Sequence, residues 1–235
     1  VLFDKQMKSI LQYPNGNQKK SYTIPDCVTN IGDSAFRECS TLTSIVIPES
    51  VTNIGDSAFK ECSALVSIVI PDSVTTINYS AFSHCYALAS IKLPDNLTTI
   101  KSNTFSDCKS LTSIIIPDSV TCIEDNAFDS CKSLTSIIIP ENVTSIESYA
   151  FYGCYNLTSI TIKNPECKIY QIQETIPDKA IIYGYEGSTA QDYAEYYKRE
   201  FMVLGEAPAT TTTPNTTDNL PGDANCDNKV DIADV

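Results

Sequence analysis

Apolar residues recur along this chain with a fixed period of 23 residues. The stretch at residues 48–70, PESVTNIGDSAFKECSALVSIVI, is one of six successive copies, each beginning at a proline: Pro25, Pro48, Pro71, Pro94, Pro117 and Pro140. A fixed period of roughly 20 to 50 residues is typical of a solenoid, whose stacked coils share one continuous core. The pattern therefore predicts six stacked coils.

Each copy places the same apolar side chains at the same positions. One column is aromatic: Phe36, Phe59, Phe82, Phe105, Phe128 and Phe151. Three aliphatic columns begin at Leu42, Ile45 and Ile47, and the last of these has Leu93 as its one variant. Because a single coil cannot bury its own apolar face, we expect these columns to form a core shared between neighbouring coils.

The alternation within a coil predicts three short elements. Residues 44–47 should form a strand that ends at a proline, since β-branched residues suit a pleated ladder. Residues 28–31 form a second extended piece, and residues 33–39, with a polar start and an inward Phe36, are predicted to be a single helical turn. With residues 22–24 as a first strand, we expect a parallel ladder of about seven strands spaced roughly 4.8 Å apart.

The period also divides the chain. Residues 1–24 are predicted to be an amino-terminal cap, residues 25–162 the six coils, and residues 163–205 a carboxyl-terminal cap with strands and one helix that starts in a capping box at Ser188. Residues 206–220 are rich in Thr and Pro and are predicted to be a linker. Residues 221–235 form a separate acidic tail.

Composition and charge narrow the function classes. The chain has 235 residues, 42% of them hydrophobic and 19% charged, which is ordinary for a soluble globular protein. A net charge of −13 argues against binding to nucleic acid, whose phosphates need clustered Lys and Arg, and against an anionic membrane surface. No run of about 18 apolar residues occurs, so we expect no membrane span.

Six of the ten cysteines form a ladder with the same period: Cys39, Cys62, Cys85, Cys108, Cys131 and Cys154. Parallel side chains in stacked coils do not face each other as a disulfide requires, so we interpret these as buried free thiols. Cys27 and Cys122 each stand at a repeat position where the other copies carry a different residue type. Cys167 and Cys226 have no obvious partner. There is no C-x-x-C pair, which argues against structural zinc.

The repeat resembles a known family. The segment Leu42-x-x-Ile45-x-Ile47-x-x-Ser50 fits the L-x-x-L-x-L-x-x-N/C pattern of leucine-rich repeats. The full unit, P-x-S-V-T-x-I-x-x-x-A-F-x-x-C-x-x-L-x-S-I-x-I, is similar to BspA-like bacterial leucine-rich repeats over residues 22 to about 163. The resemblance implies an α/β repeat solenoid, a right-handed leucine-rich repeat solenoid of short parallel strands with six coils and two caps, in a noncatalytic interaction or adhesion protein.

The tail carries the pattern D-x-N-x-D-x-x-x-D-x-x-D, with oxygen-bearing side chains at loop positions 1, 3, 5, 9 and 12. Calcium takes about six to eight oxygen ligands, and this spacing wraps a loop around one ion, as in the EF-hand. The alternative is a solvated acidic tail. The predicted ligands are the side chains of Asp223, Asn225, Asp227 and Asp234, the carbonyl of Lys229, and Asp231 directly or through water.

The same tail, GDANCDNKVDIADV, resembles the first calcium loop of a dockerin, and a Thr/Pro linker before it is similar to the way dockerins are attached. This resemblance implies a secreted, extracellular or cell-surface protein that binds a cohesin of a scaffoldin in a cellulosome. Dockerins carry two such segments, whereas this sequence reaches Val235 within the first. Cohesin binding is therefore expected of a longer parent protein.

A second candidate site lies along the outward positions of the strands. This column holds Val46, Val69, Lys92, Ile115, Ile138 and Thr161. A contiguous exposed apolar stripe often marks an interface, so we expect this concave face to bind a protein or an extended glycan. The alternative is that β-propensity alone favours Val, Ile and Thr there.

Catalysis finds little support in the residues. The one histidine, His84, stands beside Cys85 in a variable position, and we expect a surface histidine with no distinct acidic partner. Paired carboxylates for glycoside hydrolysis have no distinctive place in the repeats. We therefore expect a noncatalytic binding module. The alternatives are a structural spacer in the same assembly and a hydrolase acting on plant polysaccharide or peptide.

Overall fold

A computed structural model describes residues 1–172 and 174–205, and it is a solenoid of parallel strands. The elements are, in chain order, β1 Leu2–Phe3, β2 Ser9–Gln12, β3 Ser21–Thr23, β4 Asn30–Ile31, β5 Ser44–Val46, β6 Asn53–Ile54, β7 Ser67–Val69, β8 Thr76–Ile77, β9 Ser90–Lys92, β10 Thr99–Ile100, β11 Cys122–Ile123, β12 Ser136–Ile139, β13 Ser145–Ile146, β14 Ser159–Ile162, β15 Lys168–Ile169, β16 Ile181–Gly184, α1 Thr189–Tyr196 and β17 Phe201–Val203.

The first side of the stack, which we call the strand face, carries the strands expected at residues 44–47 and their equivalents. These pair in parallel as β3 with β5, β7 with β9, β12 with β14, β14 with β16, and β16 with β17. The continuous ladder that the sequence predicted is wrong, because β5 and β7 belong to separate sheets and residues 113–116 of the fourth coil form no strand. The amide of Thr112 still reaches the carbonyl of Ala89, but at 3.5 Å, so the coils have separated slightly here.

The second side is the extended piece predicted at residues 28–31, and it also forms a sheet. Strands β2, β4, β6 and β8 pair in parallel, as do β10, β11, β13 and β15. Within the amino-terminal cap, β1 runs antiparallel to β2. Strand β2 pairs in parallel with β4 and so covers the edge of the first coil. Pairing stops between β8 and β10, so the junction of coils three and four interrupts both sheets.

The third side, which we call the turn face, was predicted to be a helical turn, and this prediction is wrong. Ser34 and Glu38 have positive φ angles of 56° and 59°, which a right-handed helix does not contain. The same two positions are left-handed in every coil: Ser57, Ser80, Asn103, Asn126 and Tyr149 follow Ser34, while Glu61, His84, Asp107, Ser130 and Gly153 follow Glu38. The coils are tied here by hydrogen bonds such as that from the Phe36 amide to the Ala58 carbonyl, at 2.7 Å.

The core lies between the three sides. The six phenylalanines of the repeat are fully buried and stack with ring centroids 5.2 to 5.8 Å apart. The widest step, Phe82 to Phe105, is at the interrupted junction. Tyr13 lies 23 residues before Phe36, stacks on it at 5.2 Å and ends the aromatic column. The cap thus supplies the ring that a preceding coil would have supplied.

The cysteine ladder is buried, and its six thiols are free, as the sequence predicted. Each thiol from Cys62 onward donates to the carbonyl of the phenylalanine one coil earlier; the Sγ of Cys154 lies 3.0 Å from the Phe128 oxygen. Burial raises the pKa of Cys85 to about 12 and raises the pKa of Cys108 and Cys131 as well. These thiols are therefore uncharged core groups.

The carboxyl-terminal cap contains the predicted helix, Thr189–Tyr196. The Ser188 hydroxyl accepts from the Gln191 amide at 3.3 Å, while the Gln191 side chain accepts from the Gly187 amide at 2.8 Å. This is the expected capping box, except that the Gln191 side chain accepts from the amide of Gly187 instead of that of the N-cap residue Ser188. The cap also continues the strand face, since β16 pairs with β14 and β17 with β16.

Candidate binding surface

The outward column predicted from the sequence is an exposed stripe in the structure. Strand pairing aligns Val69 with Lys92 and Ile138 with Thr161, while the residues on either side of each point into the core. Val46, Val69 and Ile138 are more than half exposed, and Ile115 is 86% exposed. A large aliphatic side chain is stabilised by burial, so Ile115 is the most costly member of the stripe to leave in water.

The stripe is longer than the sequence indicated. In the registered ladder Thr161 is aligned with Tyr183, and Tyr183 with Met202. At the other end Thr23 is aligned with Val46. The repeat period ends before these cap strands, so the period alone does not show that the face continues.

A cleft opens on the strand face where residues 113–116 interrupt the ladder. It has a volume of about 220 Å³ and is lined by Ile91, Lys92, Leu93, Asp95, Ile115 and Pro117. Among the described residues, the amides and carbonyls of 113–116 make no backbone hydrogen bond. Ile115 therefore lies beside an apolar recess and belongs to a segment whose main chain is unpaired within the described residues.

Charge on this face is concentrated around Lys92. Its ammonium lies 3.3 Å from the Asp72 carboxylate, which also accepts from the Asp95 amide at 3.2 Å. The hydrogen bond from Asp95 and then the Lys92 ammonium lower the pKa of Asp72. Both side chains of the ion pair are about half exposed, so it is solvated and available to exchange partners.

The expectation that His84 has no acidic partner is wrong. Its Nε2 lies 3.5 Å from an Asp107 carboxylate oxygen, and the Ser83 hydroxyl lies 2.7 Å from its Nδ1. Asp107 is one period after His84, so the repeat itself places the two on the same column. This order of groups resembles a hydrolytic triad, but Ser83 is only 3% exposed, so a substrate carbonyl has no approach to its oxygen.

The predicted calcium ligands Asp223, Asn225, Asp227, Lys229, Asp231 and Asp234 lie outside the described residues. Within residues 1–172 and 174–205, no three His, Cys, Asp or Glu side chains are grouped as a metal site. In the same part of the chain, no helix has the length and apolar character needed to cross a membrane.

Known proteins share the repeats. The family model described as BspA type leucine rich repeat region matches residues 12–121 and 98–176. A leucine-rich cell surface protein from Faecalibacterium prausnitzii is 41% identical over 62% of this chain, with a TM-score of 0.57. A leucine-rich repeat protein from Eubacterium ventriosum is 32% identical over 65% of this chain, with a TM-score of 0.53. No curated protein matches this chain.

The lengths of these proteins differ. This chain spans 39% of the Faecalibacterium protein and 48% of the Eubacterium protein. The leucine-rich repeat protein of T. pallidum is 25% identical over 85% of this chain, which spans 93% of it, and the two structures align with a TM-score of 0.63.

Proposed function

The chain belongs to the BspA-type leucine-rich repeat family, and from this premise we propose that it is a noncatalytic cell-surface or secreted module that binds a protein through its strand face. The observation that carries the proposal is Ile115, 86% exposed beside the cleft at the interrupted ladder. An apolar side chain of a partner would fill the cleft and cover Ile115 together. Exposed apolar surface of this kind marks interaction sites.

The chemistry of the face defines the partner. Its centre is aliphatic, as the centre of a protein interface is, and its charged groups lie beside Lys92 at the cleft. The chain carries a net charge of −13, which repels acidic partners over long distances. We therefore expect a protein segment with bulky apolar side chains flanked by basic ones, whose cations would engage Asp72 and Asp95.

The double variant Ile115→Asp, Ile138→Asp should abolish binding at the strand face. A partner that docks here would bury the two new carboxylates without a cation, which opposes binding. Both positions already face solvent in the free protein, so folding should be preserved. The measurement is the affinity, by calorimetry, of peptides selected from a random displayed library against the wild-type chain. The selected peptides should be rich in apolar and basic residues.

The matched control is Thr98→Asp, Thr121→Asp. These exposed threonines also lie one period apart, in neighbouring coils, and the change adds the same charge on a different side of the stack. Binding should survive in the control. If the peptides bind Ile115→Asp, Ile138→Asp as tightly as the wild type, the strand face is not the binding site.

We propose further that the acidic tail is the first calcium segment of a dockerin, which would attach the solenoid to a cohesin of a scaffoldin. The support is the spacing of Asp223, Asp227, Asp231 and Asp234, whose mutual repulsion a cation would relieve. Ion binding and folding of such a loop are coupled. In a cellulosome the strand face would then act as an accessory binding surface.

Calcium should bind the 235-residue chain weakly, roughly in the millimolar range, and far more tightly when a second segment follows Val235. Calorimetry should show this binding lost in Asp223→Ala, Asp227→Ala and retained in Asp26→Ala, Asp118→Ala, which removes equal charge from exposed turns. Cohesin should bind the extended chain only with calcium. An extended chain that shows no calcium heat, or that binds cohesin in chelator, is not a dockerin.

A further inference from the structure

Three exposed tyrosines depart from the repeat at the end of the turn face. Tyr149, Tyr152 and Tyr155 belong to the sixth coil and are 41%, 43% and 63% exposed. The equivalent positions of the first coil are Ser34, Arg37 and Ser40, and in the fifth coil they are Asn126, Asp129 and Lys132. Across coils one to five these columns contain one tyrosine, Tyr86, so the other copies serve as an internal reference. We call the three rings the tyrosine patch.

The backbone of the patch is under strain. Tyr149 has a φ of 56°, in the left-handed region, where the other coils place Ser or Asn. A bulky residue rarely adopts this conformation, and the conformation costs about 1–2 kcal/mol for a residue with a Cβ atom. The left-handed conformation is common to all six coils, but the sixth is the one that places a bulky aromatic residue there. Strained residues of this kind are concentrated at functional sites.

The rings of the patch are free to accept a ligand. Two exposed tyrosines of the third coil are covered by lysines: Lys109 lies 4.3 Å from the ring centre of Tyr86, and Lys101 lies 5.1 Å from that of Tyr79. In the described part of the chain no Lys or Arg covers a ring of the patch. Tyr149 and Tyr152 instead meet edge to face, with centroids 5.7 Å apart, which presents one ring face beside one ring edge.

The patch also holds a backbone donor that has no acceptor among the described residues. In each earlier coil the amides of both left-handed residues donate to carbonyls of the next coil, as Asn126 does to Ser148 and Ser130 to Tyr152. On the turn face of the sixth coil, the one bond to the cap among residues 1–172 and 174–205 is that from the Phe151 amide to the Thr175 carbonyl. Within the same residues the amides of Tyr149 and Gly153 have no acceptor, and of these two residues only Tyr149 is exposed.

These groups select the ligand class. The carbonyls of Ser148, Ala150 and Tyr152 already accept from the fifth coil, so the exposed backbone of the patch offers the amide donor of Tyr149 rather than these carbonyls. A partner strand must both donate and accept, which fits poorly, whereas sugar hydroxyl oxygens can accept from isolated amides. The positively polarised C–H face of a pyranose packs against the negative face of an aromatic ring. The net charge of −13 disfavours acidic sugars.

We propose that the tyrosine patch is a binding site for a neutral polysaccharide, separate from the strand face. One sugar ring stacks on Tyr155, the most exposed of the three, and the next contacts the Tyr149–Tyr152 pair. A sugar hydroxyl oxygen accepts from the amide of Tyr149. This site takes a glycan whether or not the strand face binds a protein.

The test is calorimetric titration of the 235-residue chain with cellohexaose, xylohexaose, mannohexaose and hexagalacturonate. At least one neutral oligosaccharide should bind. The chain contains no tryptophan, so difference absorbance of tyrosine gives a second, direct signal. Tyr149→Ser, Tyr152→Lys and Tyr155→Ser install residues that other coils carry at the same columns, and each should weaken binding about three- to tenfold. Their circular dichroism and melting should match the wild type.

Two control variants test whether the glycan binds at the tyrosine patch. Tyr86→Ser, in the column of Tyr155 but covered by Lys109, should leave glycan affinity unchanged. Ile115→Asp, Ile138→Asp should also leave it unchanged, so failure of this site and failure of the strand face are distinguishable. The proposal is overturned if no neutral oligosaccharide binds, if hexagalacturonate binds in their place, or if the triple tyrosine variant retains wild-type affinity.

Discussion

Phe105→Ala should lower the free energy of unfolding by about 3–5 kcal/mol, the usual range for a fully buried phenylalanine. The ring stacks between Phe82 and Phe128 at 5.8 and 5.4 Å and has no exposed surface, so its removal leaves a cavity in the middle of the aromatic column. Because each coil contacts only its neighbours, the loss divides the stack into two halves. Urea denaturation followed by circular dichroism measures the change.

The matched control for this cavity is Ile115→Ala in the same coil. Ile115 is 86% exposed, so its truncation removes little buried surface and should change stability by less than about 0.5 kcal/mol. A broader transition or a second step in Phe105→Ala would reveal the two halves unfolding separately. A loss below about 1 kcal/mol would mean that the phenylalanine column does not form the core.

Raising the pH above 9 should destabilise the solenoid through its cysteine ladder. Burial raises the pKa of Cys85 to about 12 from an ordinary value of 9.0, so the folded state holds a proton that the unfolded state releases. This stabilisation is complete below pH 9 and is lost as the pH rises towards 12. By pH 11 the loss of stability amounts to about 2–3 kcal/mol for Cys85, and the raised pKa values of Cys108 and Cys131 act in the same direction.

Urea denaturation in reducing buffer at pH 8 to 11 checks this dependence. Cys85→Ala should cost some stability at pH 8 but should flatten the decline by up to about 1.4 kcal/mol per pH unit. Cys27→Ala removes a free thiol that is already exposed, and its decline should match that of the wild type. Equal slopes in Cys85→Ala and the wild type would show that the ladder does not govern alkaline stability.

The sequence predicted the core and the strands because both depend on side chains that recur. Ile45 and Phe36 are buried where the period places them, and both extended pieces form strands in every coil except the fourth, in which residues 113–116 do not. The turn segment was misread because a polar start before an inward phenylalanine suits a helical turn equally well. The contrary signal was present in the columns: Asn103 and Gly153 stand at left-handed positions, which Asn and Gly adopt most readily.

The site could be predicted only in part. Alternation within each strand was sufficient to find the outward column. Counting one period of 23 residues onward from His84 would also have indicated Asp107 as its neighbour in the next coil. The cleft beside Ile115 was not readable, since it depends on small separations between coils three and four that no residue type specifies. The Tyr149 amide, which has no acceptor among the described residues, depends on how the cap replaces a seventh coil, and the period stops before the cap.

The spacing of the hydrogen bonds has a consequence for how such chains change in evolution. Nearly every bond that ties one coil to the next joins residues about one period apart, as from Phe36 to Ala58 and from Thr121 to Thr98. A duplication or deletion of one whole period would restore every such bond between new neighbours. A shift of one or two residues would instead break the ladder on all three sides. Genes for this architecture are therefore free to change length, but only in steps of a complete coil, with the two caps carried along unchanged.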